Sequence, residues 1–390
     1  FRRHPLAREG LTLMKDVSAV SSDPLDPIRL ALPSKGELAE GALDLFKLAG
    51  FKVKRASSRQ YEARIAGRPR FHVVFMRPTD IVIQVHEGRC HLGITGGDLH
   101  AERASQADQA RIVLPDLGYG GCRLVVAVPE SWVDVAHMID LAELAHDFKT
   151  RGRAFRVSTK SPRLVRDHFH HWGIFSFQIV ESDGALELHP SLGIADIIVD
   201  LTSSGTTLKD NRLKEIAEGT VLESSATLIG HTPSLQTLLA EGHDGPLAHL
   251  LDAIEGAREA ETCHHLEVVG GRPSVFGDAD AEKVAAHLAA RGASQIYRGE
   301  VRDEEGRIGW RVTARIAAGQ VVACQRALFD LGASRIVALP THFVFDRERP
   351  RAFDRLRDQL LGPVARPSSA PTPVEANAAE PDPVGQPSLA

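Results

Sequence analysis

The sequence predicts an α/β protein, a two-lobed α/β region followed by a smaller C-terminal ferredoxin-like (βαββαβ) domain. Three observations carry this. From Ile28 to about Gly230 short apolar runs alternate with helical segments, the pattern of a largely parallel sheet covered by helices. That stretch is long for one sheet and is broken at residues 116–121 (DLGYGG), so two lobes with a cleft between them fit it. Beyond it, GASQI at 292–296 returns as GASRI at 332–336, each behind a helical segment and containing the start of a strand, which marks a duplicated half.

The elements follow in order. Residues 28–32 read as a first strand, and PSKGE turns the chain into a helix with Leu38, Ala42, Leu45, Phe46 and Ala49 on one face, closed by Gly50. Strand-like runs follow at 71–75, 91–95, 123–128, 155–158, 177–180 and 197–200. The spacing of Leu208, Arg212, Leu213 and Ile216 predicts a helix beginning at Leu208. After Gly230 a helix carries Leu247, Leu250, Leu251 and Ile254 on one face. The small domain then reads strand 263–269, helix 281–291, strands 294–300 and 308–316, helix 320–331, strand 335–339. The expected organisation is a flexible N-terminal extension over 1–27 and a two-lobed region over 28–230, with its second lobe at about 119–200. A helical connection over 231–262 and the ferredoxin-like domain over 263–346 come next. Residues 347–390 hold the end of a C-terminal helix and a disordered Pro/Ala-rich tail.

Composition narrows the class of function. With 390 residues and a net charge of −5, the chain has no general attraction to nucleic acid, so phosphates must be bound at local sites. No run of about 18 apolar residues suggests a membrane span, and residues 1–27 lack the apolar core of an export signal, so the cytoplasm is the expected compartment. Cys90, Cys122, Cys263 and Cys324 are widely spaced and fit reduced thiols better than disulfides or a zinc site. His168, His170 and His171 are too close in sequence to face one another as i, i+4 metal ligands do.

Residues 197–208 (IIVDLTSSGTTL) are the most informative stretch. Ile197, Ile198 and Val199 read as a buried strand that passes through Asp200 into a turn of Thr202, Ser203, Ser204, Gly205, Thr206 and Thr207. Hydroxyls and unobstructed backbone N–H groups form a nest for an anion, and a helix starting behind them adds its positive dipole end. Asp200, at the strand end, would meet ribose hydroxyls or a metal ion. An ordinary Thr or Ser helix cap is the alternative, and this stretch alone does not choose between them.

Four further stretches decide the context: RPTDI (77–81), LGITGGD (92–98), DLGYGGCRLVVAVP (116–129) and ALELHPSLGIADIIVDL (185–201). In this order and spacing they resemble the ATP phosphoribosyltransferase family of histidine biosynthesis. The likeness covers most of 28–230 and extends through LGASRIVALP near the end of the small domain. It implies a periplasmic-binding-protein-like catalytic region in which N1 of ATP displaces pyrophosphate from C1 of phosphoribosyl pyrophosphate (PRPP), with Mg²⁺ assisting. By the same likeness Thr202, Ser203, Ser204, Gly205, Thr206 and Thr207 would cradle the 5-phosphate of PRPP. Glu187, Asp196 and Asp200 would be the catalytic carboxylates, with Asp200 or Asp196 reaching the metal through water. Lys35, Arg59, Arg77, Gly96, Asp98 and Arg123 would line the ATP and pyrophosphate side. The C-terminal unit marks the family's long form, which implies an ACT-like domain binding histidine as feedback inhibitor, and a hexamer; the short form instead needs a partner resembling a tRNA synthetase.

Some residues depart from the family pattern. Lys35-Gly36-Glu37-Leu38 places a carboxylate where a basic residue is common, His91 stands where an aspartate is usual, Ala185, Leu186 and His189 differ around Glu187, and the loop reads SSGTTL in place of S-T-G-A-T-L. Glu37 and His91 motivate the competing expectation of a noncatalytic ligand-binding or regulatory paralogue on the same scaffold. A solute-binding protein shares the two-lobed architecture but would need an export signal.

Overall fold

The computed structural model describes residues 27–55, 57, 60–103, 109–182, 184–270, 279–302, 306, 308–346 and 349–362. Residues 1–26 and the Pro/Ala-rich tail from 363 onward lie outside the described residues, as does Arg59.

The first lobe begins with β1 (Ile28–Pro33), α1 (Glu37–Leu48), β2 (Val53–Lys54), β3 (Glu62–Ile65), β4 (Arg68–Met76), α2 (Pro78–His86), β5 (Leu92–Gly96), α3 (Gly97–Arg103) and β6 (Ala110–Leu114). The chain then crosses to a second lobe of β7 (Cys122–Pro129), α4 (Met138–Thr150), β8 (Arg156–Thr159), α5 (Pro162–His171), β9 (Gln178–Glu181), β10 (Ile197–Thr202), α6 (Thr206–Asp210) and β11 (Leu213–Ser224). It returns through β12 (Ala226–His231), α7 (Thr232–Ala240) and α8 (Gly245–Glu261).

The first sheet has the order β2-β3-β4-β1-β5-β12-β6 and the second β11-β7-β10-β8-β9. In the first, β1 pairs in parallel with β4 and β5; in the second, β10 with β8 and β8 with β9. Nearly every residue of β1 is buried, because a central parallel strand is covered on both faces. One face packs Phe46, Leu250, Leu251 and Ile254 against the sheet, and the other packs Ile81, Val82 and Val85 of α2. At Gly93 any Cβ would meet Ile81 at 2.4 Å, so glycine is what lets α2 lie this close to β5.

Two expectations are corrected here. The helix expected from Leu208 to Ile216 ends at Asp210: Arg212 adopts a left-handed φ of 55°, and Leu213 and Ile216 face inward from β11 instead. The second sheet consequently runs from Cys122 to Ser224, beyond the residue 200 expected for this lobe.

The third sheet is built from β13 (Cys263–Gly270), α9 (Ala279–Ala290), β14 (Ser294–Arg302), β15 (Ile308–Ala317), α10 (Ala318–Asp330) and β16 (Ala333–Pro340). Its order β14-β15-β13-β16, antiparallel throughout, is that of a ferredoxin-like fold. Leu266, Val268, Val312 and Ile316 of the sheet pack with Val284, Leu288 and Leu328 of the helices.

The last described helix, α11 (Ala352–Leu361), returns to the first lobe, where Ala352, Leu356 and Leu360 join the same core as α8. Glu255 of α8 accepts the Ala352 N–H at 2.7 Å and pairs with Arg355 at 2.6 Å, which fixes where α11 starts. Leu356→Ala is therefore expected to destabilise the first lobe by about 2–5 kcal/mol. Chemical denaturation checks this, and an unchanged transition would detach α11 from that core.

Candidate active site

Two crossovers join the lobes side by side. The Leu117 N–H donates to Ala226 O at 2.9 Å and the Ala226 N–H to Tyr119 O at 3.0 Å. Gly118 and Gly120 supply the positive φ values of this turn, 86° and 66°. Next to it the Asp98 N–H donates to Ser224 Oγ at 2.9 Å, and that hydroxyl donates to Asp98 Oδ1 at 2.8 Å. Through α3, which follows β5, the carboxyl end of β5 is brought against the start of α5, which follows β8, and open α/β sheets bind ligands at such carboxyl ends.

On the second lobe, β10 runs through Asp200 to the buried Thr202, whose Oγ1 accepts the Gly205 N–H at 2.8 Å. Gly205 takes φ 75°, and a Cβ there would approach Glu215 at 3.1 Å. Around this tight turn Ser203, Ser204, Thr206 and Thr207 are exposed, with Ser204 Oγ and Thr206 Oγ1 at 2.9 Å. Asp200 Oδ1 accepts the Leu201 N–H at 2.9 Å. Burial raises the pKa of Asp200 above its ordinary value, opposed by the Leu201 N–H and the Lys160 ammonium, and reinforced by Glu187.

Asp200, Glu187 and Lys160 therefore form one electrostatic group. Glu187 lies on a one-turn 3₁₀ helix at Leu186–Leu188, anchored by buried Leu186 and by His189, whose Nδ1 is 2.7 Å from Ser158 Oγ of β8. Lys160 follows β8 directly; Thr159 pairs with Val199, so the next step along both strands sets Lys160 beside Asp200. Sequence reasoning missed Lys160, although VSTKSP, a strand end running into Pro162, carried the signal of a strand–turn–helix corner.

The remaining expected residues divide. Lys35 and Arg77 are exposed at the carboxyl ends of β1 and β4, with Arg77 at the N-cap of α2, so both project from the cleft edge. Gly96 ends β5, and a Cβ there would strike Asp98 Oδ1 at 2.4 Å; glycine is what allows the Asp98 carboxylate to fold back. Asp98 itself is 5% exposed and engaged with Ser224, so its observed contact holds the hinge. Burial first, then the charge of Asp98 and last that of Glu37, raises the Cys122 thiol pKa. Arg123 is opposite Thr202 and binds Glu215 bidentately at 2.9 and 3.3 Å. His91 is at the other end of β5, accepting the Arg29 N–H at 3.0 Å, away from the cleft.

Asp196 is corrected. It precedes β10 at the end opposite Asp200, its side chain is 4% exposed, and its oxygens accept Arg153 at 2.7 Å, the Arg156 N–H at 2.8 Å and the Arg156 guanidinium at 3.2 and 3.3 Å. A carboxylate saturated by two arginines has no lone pairs left for ribose or metal-bound water. Asp196→Ala is expected to lose about 2–3 kcal/mol of stability with the turnover of the folded enzyme preserved. Denaturation and kinetics on the same sample check this; a selective loss of turnover would restore a role in the reaction.

Comparison with known proteins gives the family of the chain. The family model described as HisG: ATP phosphoribosyltransferase matches residues 77–256. An ATP phosphoribosyltransferase of Rhodopseudomonas palustris (strain BisB18) is 42% identical over 332 residues, 83% of this chain and 96% of the relative. That of Bradyrhizobium diazoefficiens is 32% identical over 326 residues, with the same two coverages. That of Bradyrhizobium sp. (strain ORS 278) is 42% identical over 205 residues, 52% of this chain, and the chain spans 63% of its length. Among solved structures, an ATP phosphoribosyl transferase (HisG:HisZ) complex from Thermotoga maritima aligns at 24% identity and a TM-score of 0.44, covering 58% of this chain and 98% of that one. The chain belongs to the ATP phosphoribosyltransferase family, which carries out the first step of histidine biosynthesis.

Proposed function

We propose that the second lobe binds PRPP and the first lobe the ATP phosphates, so that N1 of ATP attacks C1 of the ribose as the bond to pyrophosphate breaks. The observation that carries this reading is the group of Asp200, Glu187 and Lys160 at the mouth of a hydroxyl-rich turn opened by left-handed Gly205. The loop from Thr202 to Thr207 cradles the 5-phosphate. Asp200 and Glu187 hold the ribose hydroxyls and offset the positive charge that develops on the ring. Attack from the face opposite pyrophosphate inverts C1. Lys35, Arg77 and Lys160 surround the polyphosphates, and Arg123, paired with Glu215, supports the loop; Arg59 is assigned to the ATP side by resemblance alone. Most of the acceleration then comes from alignment and from charge neutralisation at the leaving group.

The two carboxylates fit a hydrated divalent ion arriving with pyrophosphate, since the negative charge of Glu187 raises the affinity of Asp200 for positive charge. Bound there, Mg²⁺ supplies neutralisation of the departing pyrophosphate. The described residues include no cluster of three or more His, Cys, Asp or Glu side chains suited to a resident metal. The ferredoxin-like domain is assigned the binding of histidine as feedback inhibitor, within a hexamer. No described helix is long and apolar enough to cross a membrane. The reaction is assigned to the cytoplasm by resemblance.

The deciding assay mixes purified protein with ATP, PRPP, Mg²⁺ and a pyrophosphatase, and follows phosphoribosyl-ATP by absorbance with and without histidine. Product suppressed by histidine is expected; bound PRPP without product under any Mg²⁺ condition would refute the catalytic reading. Asp200→Asn is expected to lower turnover about 100-fold or more and also to raise stability at neutral pH. Because burial raises the Asp200 pKa, the folded state holds that proton more tightly than the unfolded state. Stability is therefore lost as pH rises from the ordinary carboxylate range through the raised value, and the amide escapes that loss. Thermal melts should show the variant's advantage at about pH 7 and its disappearance at about pH 3, below both pKa values.

A further inference from the structure

The first turn of α5 has no acidic residue, its first position is Pro162, and its N-cap Ser161 makes no side-chain cap hydrogen bond. A helix start of this kind leaves backbone N–H groups without intrahelical acceptors. Here the acceptors come from the other lobe. Glu102, in the last turn of α3, accepts the Arg163 N–H through Oε1 and the Leu164 N–H through Oε2, both at 2.9 Å. Arg163 reciprocates: its Nε donates to Glu102 O at 2.9 Å, one terminal nitrogen donates to Ala101 O, and the other pairs with Asp167 at 2.8 Å. A positive side chain at a helix N-terminus opposes the helix dipole, and the carboxylate of Glu102 offsets it.

We propose that Glu102 is an interlobe positioning residue that aligns the two substrate-binding halves for phosphoribosyl transfer. The inference rests on the reading that the cleft performs that reaction. Its geometry has a specific consequence. The capped turn begins two residues after Lys160, which stands beside Asp200. Glu102 thus ties the PRPP-facing corner of the second lobe to α3, which begins directly after Gly96 and contains Asp98 on the first. Every one of these interlobe hydrogen bonds is lost if the lobes separate, so the contact favours the closed arrangement in which N1 and C1 can meet. Alignment of two reactants acts on the chemical step, so its loss should appear in kcat more than in the binding of PRPP to one lobe.

The test uses the full chain and three variants, Glu102→Ala, Glu102→Gln and Arg163→Ala, with the Ala/Ala double variant. Steady-state kinetics and small-angle scattering are recorded with PRPP and ATP present. Glu102→Ala should lower kcat about tenfold while the KM for PRPP changes less than about twofold, and it should enlarge the radius of gyration. Glu102→Gln, which keeps one acceptor oxygen, should recover part of both effects and shows that the loss is not a failure to fold. The double variant should lose little beyond Glu102→Ala, because the two residues form one contact. Unchanged kcat and scattering in Glu102→Ala overturns the inference, as does a kcat loss with unchanged scattering. Absence of product from the unsubstituted enzyme would instead overturn the proposed function, while the scattering comparison would still report on closure.

Discussion

The site depends on two strands of chain lying side by side between the lobes. Across these crossovers Ala226 accepts the Leu117 N–H and donates its own N–H to Tyr119 O, and the Asp98–Ser224 contact closes the same junction from a helix start. Each lobe has its own core and could satisfy its apolar surface alone. What the junction adds is direction: it brings the carboxyl end of β5, through α3, against the start of α5. Helices from distant parts of the chain, α3 of one lobe and α5 of the other, therefore meet at this junction.

The resulting electrostatics are asymmetric. The first lobe presents Lys35 and Arg77 on exposed turns, suited to flexible polyphosphates in water. The second presents partly buried carboxylates and a tight hydroxyl loop, suited to a ribose phosphate held in one orientation. Glu37 is exposed at the start of α1, and its charge is the last of the causes that raise the Cys122 thiol pKa. His91 stands away from the cleft, at the start of β5. Its imidazole accepts the Arg29 N–H at the far end of β5, a bond that an aspartate at that position could also accept.

Much of this was legible in the sequence for a definite reason. β10 and its loop lie within twelve consecutive residues, so strand, carboxylate, hydroxyls and glycine could be read together. The six elements of the small domain were readable because each keeps its own apolar period and ends at a turn signal. β11 was not: Leu213 and Ile216 repeat at a helical spacing, but left-handed Arg212 ends the helix before them, and bulges disturb the alternation that would have marked a strand. Asp196 misled for a related reason. Four residues along a strand separate it from Asp200 by about 13 Å, enough to move a carboxylate from the cleft edge to the opposite edge of the sheet. Ser224 and Glu102 act on residues 126 and 61 positions away, and no local pattern records such a pairing.

Asp200 shows why the site needs its substrate to be complete. A carboxylate whose pKa is raised by burial and by Glu187 is a poor isolated anion, stabilised only in part by the Leu201 N–H and Lys160. Ribose hydroxyls donating to it, or a divalent ion entering with pyrophosphate, would supply what the folded protein leaves wanting, and so would the charge that grows on the ring as the leaving group departs. On the proposed reading, the same residue would cost stability in the empty cleft and return it most fully at the transition state. That difference between ground state and transition state is what catalysis requires, and a neutral amide of the same shape cannot reproduce it.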